Sequence, residues 1–394
     1  MICNDGEGSR NKGDQAILIA MKAALARQGL EMHTFAHSEM RRIGQWWQFL
    51  RSLANADLFI LGGGHLLQDL TSQVYFLSGL MKILLAKMLA KPVMCYAVGA
   101  GPIGSLLGRF LAPRILNLVN LITVRDEVSG RILRQMGVNK PDILVTADPA
   151  FALEPVSSRR VRDILRKETA AKREGPLVVI APRRWFHYHH HFLPMRSGLF
   201  RGLPGSSEGE DYERMVAALA ELADHMASKM GAKVILLPMR IEGSQGEPGQ
   251  DDDNVCRDIM GLIKNKQEVT MIKGDYSPQE IMGIIGQMDM VISIRMHAII
   301  FAAVCGVPFV GISVYKYKGE GFFRMIGAAD RFIYIQEARA ETLIPLVEGT
   351  WKARDEIRES LKCSAASLRR RALSNAQWAF RLLQERPTHS LEKE

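Results

Sequence analysis

Arg295 and His297 close a short apolar run, Asp289-Met290-Val291-Ile292-Ser293-Ile294, and the small-residue segment Ala298-Ile299-Ile300-Phe301-Ala302-Ala303 follows at once. The run reads as a buried strand and the segment as a helix. If residues 295–297 stay extended, side chains two apart share a face, so a guanidinium and an imidazole reach into one space. That space lies at the carboxyl end of a strand and beside a helix N-terminus, where backbone N–H groups and the helix dipole favour an anion. The chemistry available there is anion binding coupled to proton donation. A histidine beside a core helix also serves as a plain structural residue, so the pair needs support from the rest of the chain.

Other residues with chemical potential occur at similar places. Arg183-Arg184-Trp185 follows an apolar run; an arginine there can fork onto a carboxylate or phosphate, and a tryptophan can stack on a sugar. His187, His189, His190 and His191 come next, with no acidic partner at ligand spacing, and no metal is assigned. Tyr315-Lys316-Tyr317-Lys318-Gly319 brings two lysines after the strand that follows the Arg/His pair. Leu61-Gly62-Gly63-Gly64-His65 could cradle phosphate on backbone amides or make a tight strand-to-helix turn, and its spacing is that of neither a Walker loop nor a dinucleotide fingerprint. In Asn11-Lys12-Gly13-Asp14, Gly13 permits close backbone approach, while Asp14 is either a helix N-cap or a ligand contact.

These groups need a scaffold of alternating strands and helices. Apolar runs at 57–61, 93–98, 121–124 and 143–145, then at 177–181, 233–237, 269–272, 291–294 and 307–312, are separated by helical stretches. Such alternation marks parallel sheets covered on both faces. The expected fold class is α/β: two Rossmann-like domains and a C-terminal helical segment. The expected division is 1–154, a linker at 155–176 framing one amphipathic helix, 177–340, and terminal helices at 341–388 packing back on the body. Ser277-Pro278-Gln279-Glu280 is a capping box that starts a helix running toward Gln287. Ile357, Leu361, Ala365, Leu368 and Ala372 form a helical stripe. Gly198–Gly209 and Glu242–Asp253, rich in Gly, Ser, Pro and acid, read as mobile surface segments or lids.

The length of 394 residues suits two cores better than one. A net charge of +9 fits an anionic small substrate, a nucleic acid or an acidic membrane surface, and with no nucleic-acid signature nucleic acid is ranked last. Five scattered cysteines without a CxxC pair, and no apolar N-terminal leader, give the expectation of a cytoplasmic protein. Val74–Ala90 is too short and interrupted to span a bilayer. Trp46, Trp47, Phe49, Leu50 and Arg51 read as a partly buried helix, with peripheral contact at the inner face of a membrane left open.

Taken together, the pieces resemble the polysaccharide pyruvyl transferase family. The resemblance rests on Asn11-x-Gly13-Asp14, the strand ending in Gly62-Gly63-Gly64, Arg125-Asp126-x-x-Ser129, Asp148-Pro149-Ala150-Phe151, Arg295-Met296-His297-Ala298, Gly306-Val307-Pro308 and Tyr315-x-x-Lys318, in that order over about residues 11–335. It implies a GT-B-like arrangement and transfer of a pyruvyl group from phosphoenolpyruvate to a sugar, commonly as a ketal, in polysaccharide and cell-envelope biosynthesis. By that likeness His297 is the catalytic acid, and Arg183, Arg295 and Lys318 bind the donor, with Lys316 competing for the lysine's role. Asn11, Asp14, Gly63, Gly64 and Trp185 are acceptor or cleft candidates. No cofactor beyond the donor substrate is expected, and the acceptor is a saccharide, free or lipid-linked. Two departures stand out: the first strand is cut to about Met1–Cys3, and the lysine segment is one residue longer. The rival readings are a nucleotide-sugar glycosyltransferase on the same plan, disfavoured because residues 298–306 hold no acid to grip a ribose, and a saccharide-binding protein without chemistry.

Overall fold

Alternating apolar strands leave the protein as two fully parallel six-stranded sheets. A computed structural model describes residues 1–36, 43–70, 72–169, 175–184, 208–241, 251–314 and 316–385. In the first half, β1 (Ile2–Asn4), α1 (Lys12–Ala26), β2 (Thr34–Ala36), α2 (Ile43–Ala54), β3 (Phe59–Leu67), α3 (Gln73–Met88), β4 (Val93–Ala100), α4 (Leu106–Leu116), β5 (Leu121–Val124), α5 (Glu127–Gln135) and β6 (Asp142–Val145) follow one another. The sheet order is β2-β1-β3-β4-β5-β6. The core sorts by face: α2, α3, α4 and α5 bury Phe49, Phe76, Ala112 and Leu133 on one side, while α1 buries Ile17 and Met21 on the other. Alternation along β4 slips at Ala97, whose φ is 47°, and the register shifts there.

After a 3-10 turn at Pro149–Ala152 and α6 (Ser158–Thr169), the second half builds β7 (Leu177–Ala181), α7 (Glu208–Met230), β8 (Lys233–Leu236), α8 (Asp252–Leu262), β9 (Val269–Met271), α9 (Pro278–Ile285), β10 (Met290–Ser293), α10 (Met296–Val304), β11 (Phe309–Ser313), α11 (Lys316–Met325) and β12 (Phe332–Tyr334). Its order is β12-β11-β10-β7-β8-β9. The capping box forms as its spacing demands, with Ser277 Oγ accepting from Glu280 N at 3.3 Å and Ser277 N donating to Glu280 Oε2 at 2.8 Å. Short β2 and β12 have no counterpart in the apolar runs, because three-residue edge strands carry too little pattern.

Two helices close the chain, α12 (Ala340–Lys352) and α13 (Arg354–Gln384). The 31-residue α13 touches both halves. Its Arg358 reaches Asp289 beside β10 at 3.5 Å, and its fully buried Asn375 accepts from Thr146 Oγ1, beside β6, at 2.8 Å. One continuous core joins Ala16 and Ala20 of α1 and Phe151 to Ile281, Ala298 and Phe301 of α9 and α10, so the halves meet along apolar surface.

Candidate functional site

The meeting line of the halves is built around two helix N-termini. Asn11 caps α1, its Oδ1 accepting from Gly13 N at 3.0 Å. Asp14 is therefore not the cap: it sits within the first turn, with Ser9 Oγ donating to it at 3.5 Å. Lys12 N donates to Met239 O of the second half at 3.0 Å, and Lys12 Nζ pairs with Asp275 at 2.5 Å. The start of α1 is thereby tied across the junction.

Arg295 occupies the N-cap position of α10 without a side-chain capping bond, and His297 lies in the first turn of that helix. The extended i, i+2 geometry expected for the pair is thus replaced by a strand-to-helix transition, since β10 stops at Ser293, whose Oγ accepts from Arg295 N at 2.9 Å. The two side chains take different partners. Arg295 Nε donates to Asp252 Oδ2 at 2.9 Å and Nη2 to Oδ1 at 2.5 Å. Burial drives both groups toward their neutral forms, raising the Asp252 carboxyl and lowering the Arg295 guanidinium, and their mutual attraction opposes this. Arg183 and Arg240 add positive charge beside the pair.

Asp252 had no place in the sequence reading, which made Glu242–Asp253 a surface segment. Residues 242–250 lie outside the described residues, but Asp251, Asp252 and Asp253 are buried at the start of α8. Asp251 is its cap, and Asp252 Oδ2 also accepts from Met239 N at 3.1 Å. Three acids directly before a periodic apolar stretch are a helix-start signal that would have placed them.

The His297 imidazole lies against Gly13 of α1. A Cβ at that position would stand 2.1 Å from His297 Nδ1, so only glycine admits the ring. Its Nε2 is 3.7 Å from Asp148 Oδ2, an ion-pair distance rather than a hydrogen bond, and the atom is buried without a hydrogen-bond partner among the described residues. Asp148 also receives Arg125 Nη1 at 3.3 Å and Ala150 N at 3.0 Å. Burial alone would raise this carboxyl; the charge and proximity of His297, with Arg125 and the Ala150 amide, hold it instead at about 2. Arg125 Nη2 lies 3.5 Å from His65 Nδ1, extending the cluster into β3. Arg125 and Asp148 belong to the motifs that carried the resemblance, yet nothing in their spacing announced that Arg125 and His297 would approach the same Asp148 carboxylate.

The triple glycine is not a loop. β3 continues through it to Leu67, with Gly63 and Gly64 at φ 68° and 86°. A Cβ on Gly63 would collide with Ile17 of α1 at 2.1 Å, and Asn4 Nδ2 donates to Gly62 O. Close approach of α1 to the sheet accounts for Gly62 and Gly63, and the left-handed backbone accounts for Gly64, so phosphate cradling is not needed to explain them. Arg183 follows β7, half-buried, beside the Arg295–Asp252 pair. Lys316 and Lys318 fall in the first turn of α11, but their side chains lie outside the described residues, as do Trp185, the histidines at 187–191, residues 198–207 and Tyr315. Among the described residues no three His, Cys, Asp or Glu side chains gather to hold a metal.

The family model for polysaccharide pyruvyl transferase matches residues 11–316. The chain belongs to that family. An amylovoran biosynthesis protein, AmsJ of Erwinia amylovora, is 22% identical over 319 residues, covering 80% of this chain and 70% of that one. Among solved structures, a glycosyltransferase from Rickettsia africae superposes with a TM-score of 0.59 at 11% identity, covering 95% of this chain and 96% of the other. A putative UDP-N-acetylglucosamine 2-epimerase from Listeria monocytogenes gives 0.57 at 11%, covering 92% and 90%. At such identity these two establish the fold alone, and they bear out the GT-B-like arrangement of two Rossmann-like sheets with a C-terminal helical segment.

Proposed function

We propose that this pyruvyl transferase family member moves the pyruvyl group of phosphoenolpyruvate onto a saccharide or its precursor, with His297 as general acid. The observation that carries the reading is the His297 imidazole lodged between Gly13 and Asp148 at the junction of the halves, its Nε2 near the Asp148 carboxylate. A carboxylate at that distance fixes the orientation of the ring that is to give up a proton.

Phosphoenolpyruvate carries a carboxylate and a phosphate. Arg183 and the Nη1 edge of Arg295, which Asp252 does not occupy, supply fixed cations for them, with Lys316 or Lys318 as mobile charge. His297 protonates the methylene carbon, so C2 becomes electrophilic and accepts a sugar hydroxyl, which loses its proton. A second hydroxyl of the same sugar then displaces phosphate, and a cyclic pyruvate ketal forms. Asn11 and Asp14, which flank Gly13 where the His297 ring packs, are the acceptor candidates at the start of α1.

The test is incubation with phosphoenolpyruvate and a panel of saccharides, free and lipid-linked, reading phosphate release and the mass of an added pyruvyl group. His297→Ala is expected to fold and to lose roughly 10²–10⁴-fold in turnover. Near-normal ketal formation by that variant overturns the acid's assignment. Consumption of a nucleotide sugar in place of phosphoenolpyruvate overturns the donor.

A further inference from the structure

Among the described residues, nine of the ten large apolar side chains left exposed lie on one layer, the outer side of α2, α3 and α4 or the turns that end them. Trp47 on α2 is 72% exposed, Met88 at the end of α3 73%, and Leu106 at the start of α4 87%. Met81 continues the α3 stripe seven residues before Met88, and Leu107 and Phe110 flank Leu106. Inward, the same helices bury Phe49, Phe76 and Ala112 against the sheet. The α3 and α4 helices are therefore apolar on the face that the fold covers and again on parts of the face left open, while α2 adds the exposed Trp47 beside Gln48 and Arg51.

Charge on this layer has a single sign. The three helices contain no Asp or Glu, and their outward cations are Arg51, Lys87, Arg109 and Arg114. The Arg114 guanidinium stands 3.6 Å over the Phe110 ring, so charge and apolar surface are interleaved rather than segregated. The start of α4 is fixed by buried Asp69, which accepts from Gly104 N and Ser105 N at 2.8 Å each, and this holds Leu106 outward on a rigid element.

We propose that this layer docks on an anionic phospholipid bilayer, its apolar side chains entering the headgroup boundary while the arginines and Lys87 meet lipid phosphates. Helices that lie flat, carry Trp, Phe and Leu beside Arg and Lys, and lack acids have the chemistry of interfacial binding. Pairing with a second copy of the chain through the same face would set these cations against themselves with no acid to answer them. The contact is peripheral: among the described residues no helix is long and apolar enough to cross a membrane. This surface is independent of the pyruvyl-transfer reading, although a lipid-linked acceptor would bring its saccharide to a protein so docked.

The experiment is flotation of the full chain with vesicles of phosphatidylcholine alone or with about a third phosphatidylglycerol, at low salt and at about 0.5 M salt. Binding to the anionic vesicles only, reduced by salt, is expected. The Met88→Gln, Leu106→Gln, Phe110→Gln triple variant should weaken partition by at least about tenfold, and Arg109→Gln, Arg114→Gln should remove most of the lipid selectivity. Circular dichroism and turnover on a water-soluble acceptor should match the parent, which separates failure of this surface from failure of the proposed reaction. Failure to float, equal binding to neutral vesicles, or a dimer that the triple variant abolishes would each overturn the proposal.

Discussion

Replacing Gly13 with alanine tests the helix contact that holds His297. Gly13 sits at the second position of α1 without a positive φ, so the backbone accepts a side chain, and in isolation alanine should stabilise the helix by roughly 0.5–1 kcal/mol. The new Cβ would stand 2.1 Å from Nδ1, 2.5 Å from Cγ and 2.9 Å from Cε1 of His297. Since non-bonded heavy atoms settle near ~3.5 Å, the ring must retreat by more than about 1 Å. Overpacking of that kind costs about 1–3 kcal/mol, so Gly13→Ala should be net destabilising by up to about 2 kcal/mol. Displacing the proposed acid by about 1 Å should lower turnover by roughly 10²-fold. In a His297→Ala background the clash is gone, and the same glycine change should raise stability instead. Urea unfolding of the four proteins of this cycle gives the coupling between the two sites, and phosphate release gives the rate. A Gly13→Ala protein that is more stable than the parent and fully active would refute the reasoning.

Two further outcomes follow from the acids of the site. Asp252→Ala leaves the buried Arg295 guanidinium without its carboxylate and should cost about 3–5 kcal/mol in urea unfolding; a loss under ~1 kcal/mol would mean that water or another group already serves Arg295. Asp148 is held at about 2, below its ordinary 3.8, so it adds stability above pH ~4 that disappears as the pH falls through about 2. Nearly two pKa units make this roughly 2 kcal/mol. Asp148→Asn should flatten the fall of the unfolding midpoint over that window, and an unchanged acid profile would show that the carboxylate is not held by His297 and Arg125.

Much of the sheet framework was legible because a strand covered on both faces must be a continuous apolar run. Residues 121–124 and 177–181 form strands over the expected limits, and Ser277–Glu280 starts a helix as its spacing requires. The triple glycine misled for a local reason: glycine marks turns, but here it admits a helix against a strand that continues. Arg295 and His297 could be singled out by type and position, whereas their directions could not, because one residue of helix after the cap turns a side chain far from where a strand would aim it.

The amino-acid sequence by itself determined which residues could bind an anion or give up a proton, the alternation that demands parallel sheets, and the order of motifs that marks the family. Only the tertiary structure decided that Asp252 takes the Arg295 fork, that Asp148 and Gly13 flank His297 while Arg125 binds the same Asp148 carboxylate, and that three helices carry exposed apolar side chains on an acid-free layer. The first two are meetings of residues far apart in the chain, from 43 residues for Arg295 and Asp252 to 284 for His297 and Gly13. Local propensity and periodicity act over a few residues, so they carry no information about such encounters; packing two sheets along one junction does.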